Sequence, residues 1–224
     1  MSVVLAQPAL SLTDLALGVV TLFLAIRISR LPDVHRHWKT TFWCFGGAAL
    51  AGAIHHGFVV RWNGVADVSW ACISLVVVLA VSYLLAGTVV EVLGPGHAKQ
   101  FWLLRSVGLV AYVILAANGH AGVSSILLCE SLTMAAILAL WAWASYRRHP
   151  MAPLMVVAIA ASGAAAGARQ ISPEVLEPIG LDPTSLYHLA QIAGMVALYV
   201  ALTRPRREAR AGGAAWHDSY RVPA

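Results

Sequence analysis

Long apolar stretches alternate with short polar ones along the whole chain. Seven apolar runs stand out: Leu10–Ile28, Thr40–Val60, Val68–Val92, Phe101–Ala117, Gly122–Tyr146, Ala152–Ala168 and Ser185–Leu202. Each is close to the roughly 20 residues that carry an α-helix across the hydrocarbon core of a bilayer. The pattern predicts an all-α integral membrane protein: a seven-transmembrane helix bundle over residues 1–203, followed by a polar, disordered tail over 204–224. Ser11-Leu-Thr-Asp14 reads as a capping box that starts the first helix. The first run exceeds the roughly 7–15 apolar residues of a signal-peptide core, so it reads as a retained helix.

Composition agrees. Hydrophobic residues make up 59% of the 224 and charged residues 11%, against about 25% charged in a soluble domain. The net charge of +5 does not describe a nucleic-acid groove, because the basic residues flank apolar runs. Thirteen of the 15 Lys and Arg residues lie in alternate loops and the tail, and two, Arg61 and Arg169, lie on the other side. The positive-inside bias therefore predicts an outer N-terminus and a cytoplasmic C-terminus, in a cell membrane of bacterial inner-membrane type. Cys44, Cys72 and Cys129 sit singly inside apolar runs and read as small core residues. The only lysines, Lys39 and Lys99, are outside the last run, which excludes a retinal Schiff base there.

On that topology the unusual polar residues gather at the outer end. His55 and His56 close the second helix, Asp67 opens the third, and Asn118 and His120 turn the chain after the fourth. Glu130 lies about two turns into the fifth, Arg169 and Gln170 follow the sixth, and His188 opens the seventh with Gln191 one turn deeper. Asp14 begins the first helix on the same side. Adjacent helical residues point about 100° apart, so His55 and His56 cannot share a face. The small stripe Ala48, Gly52, His56 puts His56 at a close helix–helix contact. Imidazoles and carboxylates at this depth are functional candidates. The plainer readings are interfacial histidines, Asp67 as a helix N-cap, Glu130 paired with Arg169, and Trp62 and Trp70 in an aromatic belt.

At His56, Asp67 and His188 the chain resembles the alkaline-ceramidase-like (CREST) superfamily of seven-helix membrane hydrolases. The resemblance implies a zinc ion held by histidines near one membrane face, attacking a lipid amide or ester through a bound water. It implies His56 and His188 as metal ligands and Asp67 as the catalytic carboxylate. The family's HxxxH pair in the last helix is not complete here: Thr184 lies four residues before His188 and Ile192 four after. The family's serine one turn before the helix-2 histidine is Gly52. Glu130, His55 or Gln191 is then expected to supply the third zinc ligand.

Two further readings stand beside this one. His56 and His188 on facing helices could ligate a b-type haem, though no CxxCH is present for covalent attachment. Alternatively the chain is a non-enzymatic subunit whose outer polar residues meet a protein partner in a membrane complex. Membrane lipids are the expected surroundings in every case.

Overall fold

The computed structural model describes residues 4–97, 101–168, 171–179 and 182–211. Among these the chain is all-helical, without strands. The long helices are α1 (Pro8–Ser29), α2 (Arg36–Gly57), α3 (Val65–Val92), α4 (Trp102–Ala117), α5 (Val123–Tyr146), α6 (Ala152–Ala168) and α7 (Pro183–Ala211), with short helical turns at Val59–Arg61, Pro95–His97 and Pro173–Ile179.

Several boundaries differ from the sequence reading. α1 begins at Pro8, whose fixed φ suits a first helical turn. Gln7 is its N-cap residue and makes no side-chain cap, so Ser11 and Asp14 lie inside the helix and are no capping box. The Ser11 hydroxyl instead donates across to the Ala53 carbonyl of α2 at 2.8 Å. α3 begins with Gly64 as N-cap, which leaves Asp67 in the first turn. α7 starts at Pro183 and runs past Leu202 and through Pro205 to Ala211. Residues 204–211 are thus helix, not loose tail, and residues 212–224 lie outside the described part.

Neighbouring helices pack as a ring in the order α1, α2, α3, α5, α6, α7, with α7 returning to α1; α4 lies outside, in the groove of α3 and α5. Glycines bring α1 and α2 close. A Cβ on Gly18 would meet Leu50 at 2.6 Å, and one on Gly46 would meet Leu22 at 2.6 Å, so each helix seats a leucine of the other over a bare backbone. Gly87 does the same for the Trp38 ring against α3.

The apolar core is confined to one end of the ring. It joins Ile28, Trp38, Phe42, Leu85, Trp141, Met155 and Leu202, with other buried residues of the same helix ends. The polar junction described below occupies the opposite end. Large apolar side chains also face outwards, among them Leu12, Val19 and Phe23 on α1, Leu103, Val110 and Ile114 on α4, and Leu128 and Leu132 on α5. Four helical segments are long and apolar enough to cross a membrane: Pro8–Ser29, Val65–Val92, Leu128–Tyr146 and Pro183–Glu208. A helical bundle with an apolar exterior and polar groups turned inwards is the build of a membrane protein.

Candidate functional site: a His–Asp–His junction

Asp14 is the centre of the site. It lies in the second turn of α1, 6% exposed, where α1 passes between α2 and α7. His56 Nε2 of α2 is 3.8 Å from Asp14 Oδ2, and His188 Nε2 of α7 is 3.4 Å from Asp14 Oδ1. Gly52, one turn before His56, makes the room: a Cβ there would stand 2.6 Å from Asp14 Oδ2. At the helix-2 position where the resembled family has serine, this chain has the space that the carboxylate fills.

The other ring nitrogens are held from behind. His56 Nδ1 meets Gln7 Oε1 at 2.7 Å. Gln7 is itself pinned, because its backbone N–H donates to the His56 carbonyl at 3.1 Å and that of Ala6 to the Gly57 carbonyl at 2.9 Å. These bonds also satisfy carbonyls at the end of α2 that the helix leaves unpaired. His188 Nδ1 lies 3.2 Å from Thr13 Oγ1. The Thr13 hydroxyl already donates to the Ala9 carbonyl at 2.9 Å, so its oxygen accepts and His188 Nδ1 donates. An amide oxygen beside His56 Nδ1 likewise makes that nitrogen a donor. Both Nε2 atoms then turn lone pairs towards a carboxylate. The junction thus sets two imidazole Nε2 atoms against one buried carboxylate, an arrangement that suits a shared proton or a cation.

His55 points away from Asp14, as its 100° offset requires. It is buried, meets Ser69 Oγ of α3 at 3.2 Å and packs edge-on to His56 at 5.1 Å between ring centres. Trp70 of α3 packs against both rings, at 5.5 Å from His55 and 5.7 Å from His56; Trp62 is exposed. Asp67 is exposed, and no side-chain hydrogen bond or ion pair joins it to the described residues. It does not take the place expected of a catalytic carboxylate beside His56. Glu130 is buried on α5, which packs against α3, α4 and α6 and not against the three helices of the junction. It does not reach the junction, where Asp14 is the carboxylate beside His56 and His188. His120 is exposed and Gln191 is half-buried. Arg169, the expected partner of Glu130, and Gln170 lie outside the described residues.

Sequence reading missed Gln7 and Thr13, and placed Asp14 at the outer end without giving it a role in the site. A signal existed: Asp14 sits at the same depth as His56 and His188, and the stripe residue Gly52 announces a close neighbour. Among the described residues no three His, Cys, Asp or Glu side chains are gathered closely enough to hold a metal ion as they stand. The histidines address different oxygens of Asp14, which makes two pairs sharing a carboxylate. The 3.4 Å pair has the donor–donor spacing of a tetrahedral zinc shell, about 3.4 Å for bonds of roughly 2.0–2.1 Å. The 3.8 Å pair is a few tenths wider.

Fold and junction define an all-helical membrane protein with a buried imidazole–carboxylate–imidazole centre. The chain belongs to a family of unknown function (DUF6962), whose sequence model matches residues 9–207. No curated protein and no solved structure matches it.

Proposed function

We propose that the chain is a zinc-dependent membrane hydrolase acting on a lipid amide or ester, with Asp14, His56 and His188 as the metal-holding set. In this reading seven helices span the membrane, the junction lies near the outer face, and the C-terminus is cytoplasmic, in a bacterial inner membrane. The observation that carries the reading is the convergence of two Nε2 lone pairs on one buried carboxylate, with each Nδ1 fixed by its own oxygen. That backing is the arrangement by which metal-ligating histidines are oriented. Zinc, when bound by three protein groups, lowers the pKa of a water towards about 7 and polarises a carbonyl.

The chain's own residues do the rest. Gln7 and Thr13 keep both imidazoles in the tautomer that exposes Nε2. Trp70 shields the His55–His56 side. Asp14, flanked by both imidazoles, would supply the carboxylate that takes a proton from water at the junction. A lipid carbonyl at interface depth can reach this end of the bundle sideways, between helices. A bis-histidine haem fits less well, because the Asp14 carboxylate occupies the space between the imidazoles that the iron would need.

The test is elemental analysis of protein purified in detergent without chelator. About one zinc ion per chain, the content of a single three-ligand site, is expected, with loss of it in Asp14→Asn, His56→Ala and His188→Ala. Glu130→Gln and Asp67→Asn keep it. Hydrolysis of lipid amides or esters in mixed micelles then follows zinc content across these variants. A wild-type protein free of zinc defeats the reading; a Soret band with iron moves the site to haem, and no metal at all leaves a scaffold.

A further inference from the structure

Outside the junction the bundle buries a second acid that nothing above employs. Glu130 is 5% exposed, and its Oε2 has no hydrogen-bond partner among the described residues. It faces Gly108 of α4, where a Cβ would come within 3.0 Å of Oε1. The carboxyl therefore fills a hollow that only glycine leaves open. Thr133, almost fully buried, follows one turn along the same helix. Position along α5 puts Glu130 about two turns from the end that leads from the α4–α5 turn, at the start of the apolar segment Leu128–Tyr146.

The charges around it are committed elsewhere. The titratable residues on the helices packed against α5 are Asp67, Cys72, Tyr83 and Glu91 on α3 and Arg105 and Tyr112 on α4; α6 carries none. Arg105 Nε donates to Ser82 Oγ at 2.9 Å and its guanidinium lies over the Tyr83 ring. The Tyr112 hydroxyl lies 3.4 Å from the Ala71 carbonyl and 3.3 Å from that of Ala121. Glu91 pairs with Arg206. No described cation meets Glu130, and an ionised carboxylate without one is strongly disfavoured at this depth.

We infer that Glu130 is a reversible proton-binding site, set in the seam between the ring and α4 and separate from the His–Asp–His junction. The acid form is what the hollow over Gly108 accommodates. Release of the proton requires water, and the seam is where water can enter at least expense. α4 is the one long helix outside the ring, and its buried positions are Gly108 and Tyr112. A small outward movement of α4 wets Glu130, and of the core it disturbs only the edge where Leu104 packs. Proton uptake and release at Glu130 thereby accompany α4 closing and opening.

Infrared spectra of the full chain in lipid vesicles test this. The wild type should show a carboxylic-acid C=O band that shifts in D2O and fades as pH rises. Glu130→Gln removes that band and Asp14→Asn leaves it. Gly108→Ala, which presses on Oε1, moves its frequency. The inference is overturned if Glu130→Gln removes no acid band, or if the band neither shifts in D2O nor responds to pH. Should Glu130→Gln fail to fold, dicyclohexylcarbodiimide, which adds to protonated carboxyls in apolar surroundings, should mark Glu130 of the wild type in peptide mass spectra. An unmarked Glu130 overturns the proposal, whatever the zinc content.

Discussion

Gly52 shows how much one missing side chain can decide. A methyl group there would press on Asp14 Oδ2 at 2.6 Å, against a carboxylate already flanked by two imidazoles. Gly52→Ala should cost about 1–3 kcal/mol, the range for overpacking a filled site, seen as a lower melting temperature in detergent together with reduced zinc content. Gly47, with nothing within 4 Å of its would-be Cβ, is the control: Gly47→Ala should leave both unchanged. His56 and His188 were legible in the sequence because imidazoles are conspicuous in apolar runs. Asp14 was not, because an aspartate near the start of such a run reads equally as a cap. Asp67, which the resemblance implied as the catalytic carboxylate, is exposed. Spacing along the chain carries depth, but not which helix stands opposite.

For single elements, helix ends decide what local sequence can say. α7 opens on Asp182-Pro183-Thr184-Ser185. The Asp182 carboxylate accepts from the backbone N–H groups of Thr184 at 2.8 Å and Ser185 at 3.0 Å, and from the Ser185 hydroxyl. Asp182→Ala should cost about 1 kcal/mol of stability, as for other lost N-caps. Partial burial pushes this carboxyl upward, but the hydrogen bonds from Ser185 and Thr184 outweigh it and hold it below the ordinary 3.8. The cap therefore contributes fully above pH 3.8 and is lost as pH falls through the folded-state value. Melting temperatures across that acid range should converge for wild type and Asp182→Ala. The other end of α7 was misread because the sequence turns polar after Leu202. The helix continues through Pro205, although a proline there removes a backbone donor and crowds the carbonyl four residues back.

Across the whole molecule, what extends α7 is an ion pair across the ring. Arg206, 4% exposed, donates to both oxygens of Glu91 on α3 at 2.7 and 2.6 Å and to the Leu202 carbonyl at 2.6 Å. Breaking such a buried pair from one side leaves a bare charge. Glu91→Gln or Arg206→Met alone should each cost about 3–5 kcal/mol, measured by thermal unfolding in detergent, while the double variant recovers much of the loss. The sequence announced the class of molecule plainly, because seven apolar runs in one chain leave few alternatives. It could not announce the ring order, in which the last helix lies against the first and α4 stands outside. That order depends on which small faces meet, such as Gly18 with Leu50 and Gly46 with Leu22.

The meeting of α1 and α7 has a consequence for how the chain is made. Thr13 and His188 are 175 positions apart. A ribosome that has delivered α1 and α2 to the membrane has already committed Asp14 to an apolar setting, with His56 as its only member of the pair. Until the final helix arrives, the first one carries an unmatched acid in lipid. A chain cut short before α7 therefore lacks the His188 ring beside Asp14 and leaves that acid with half of its junction.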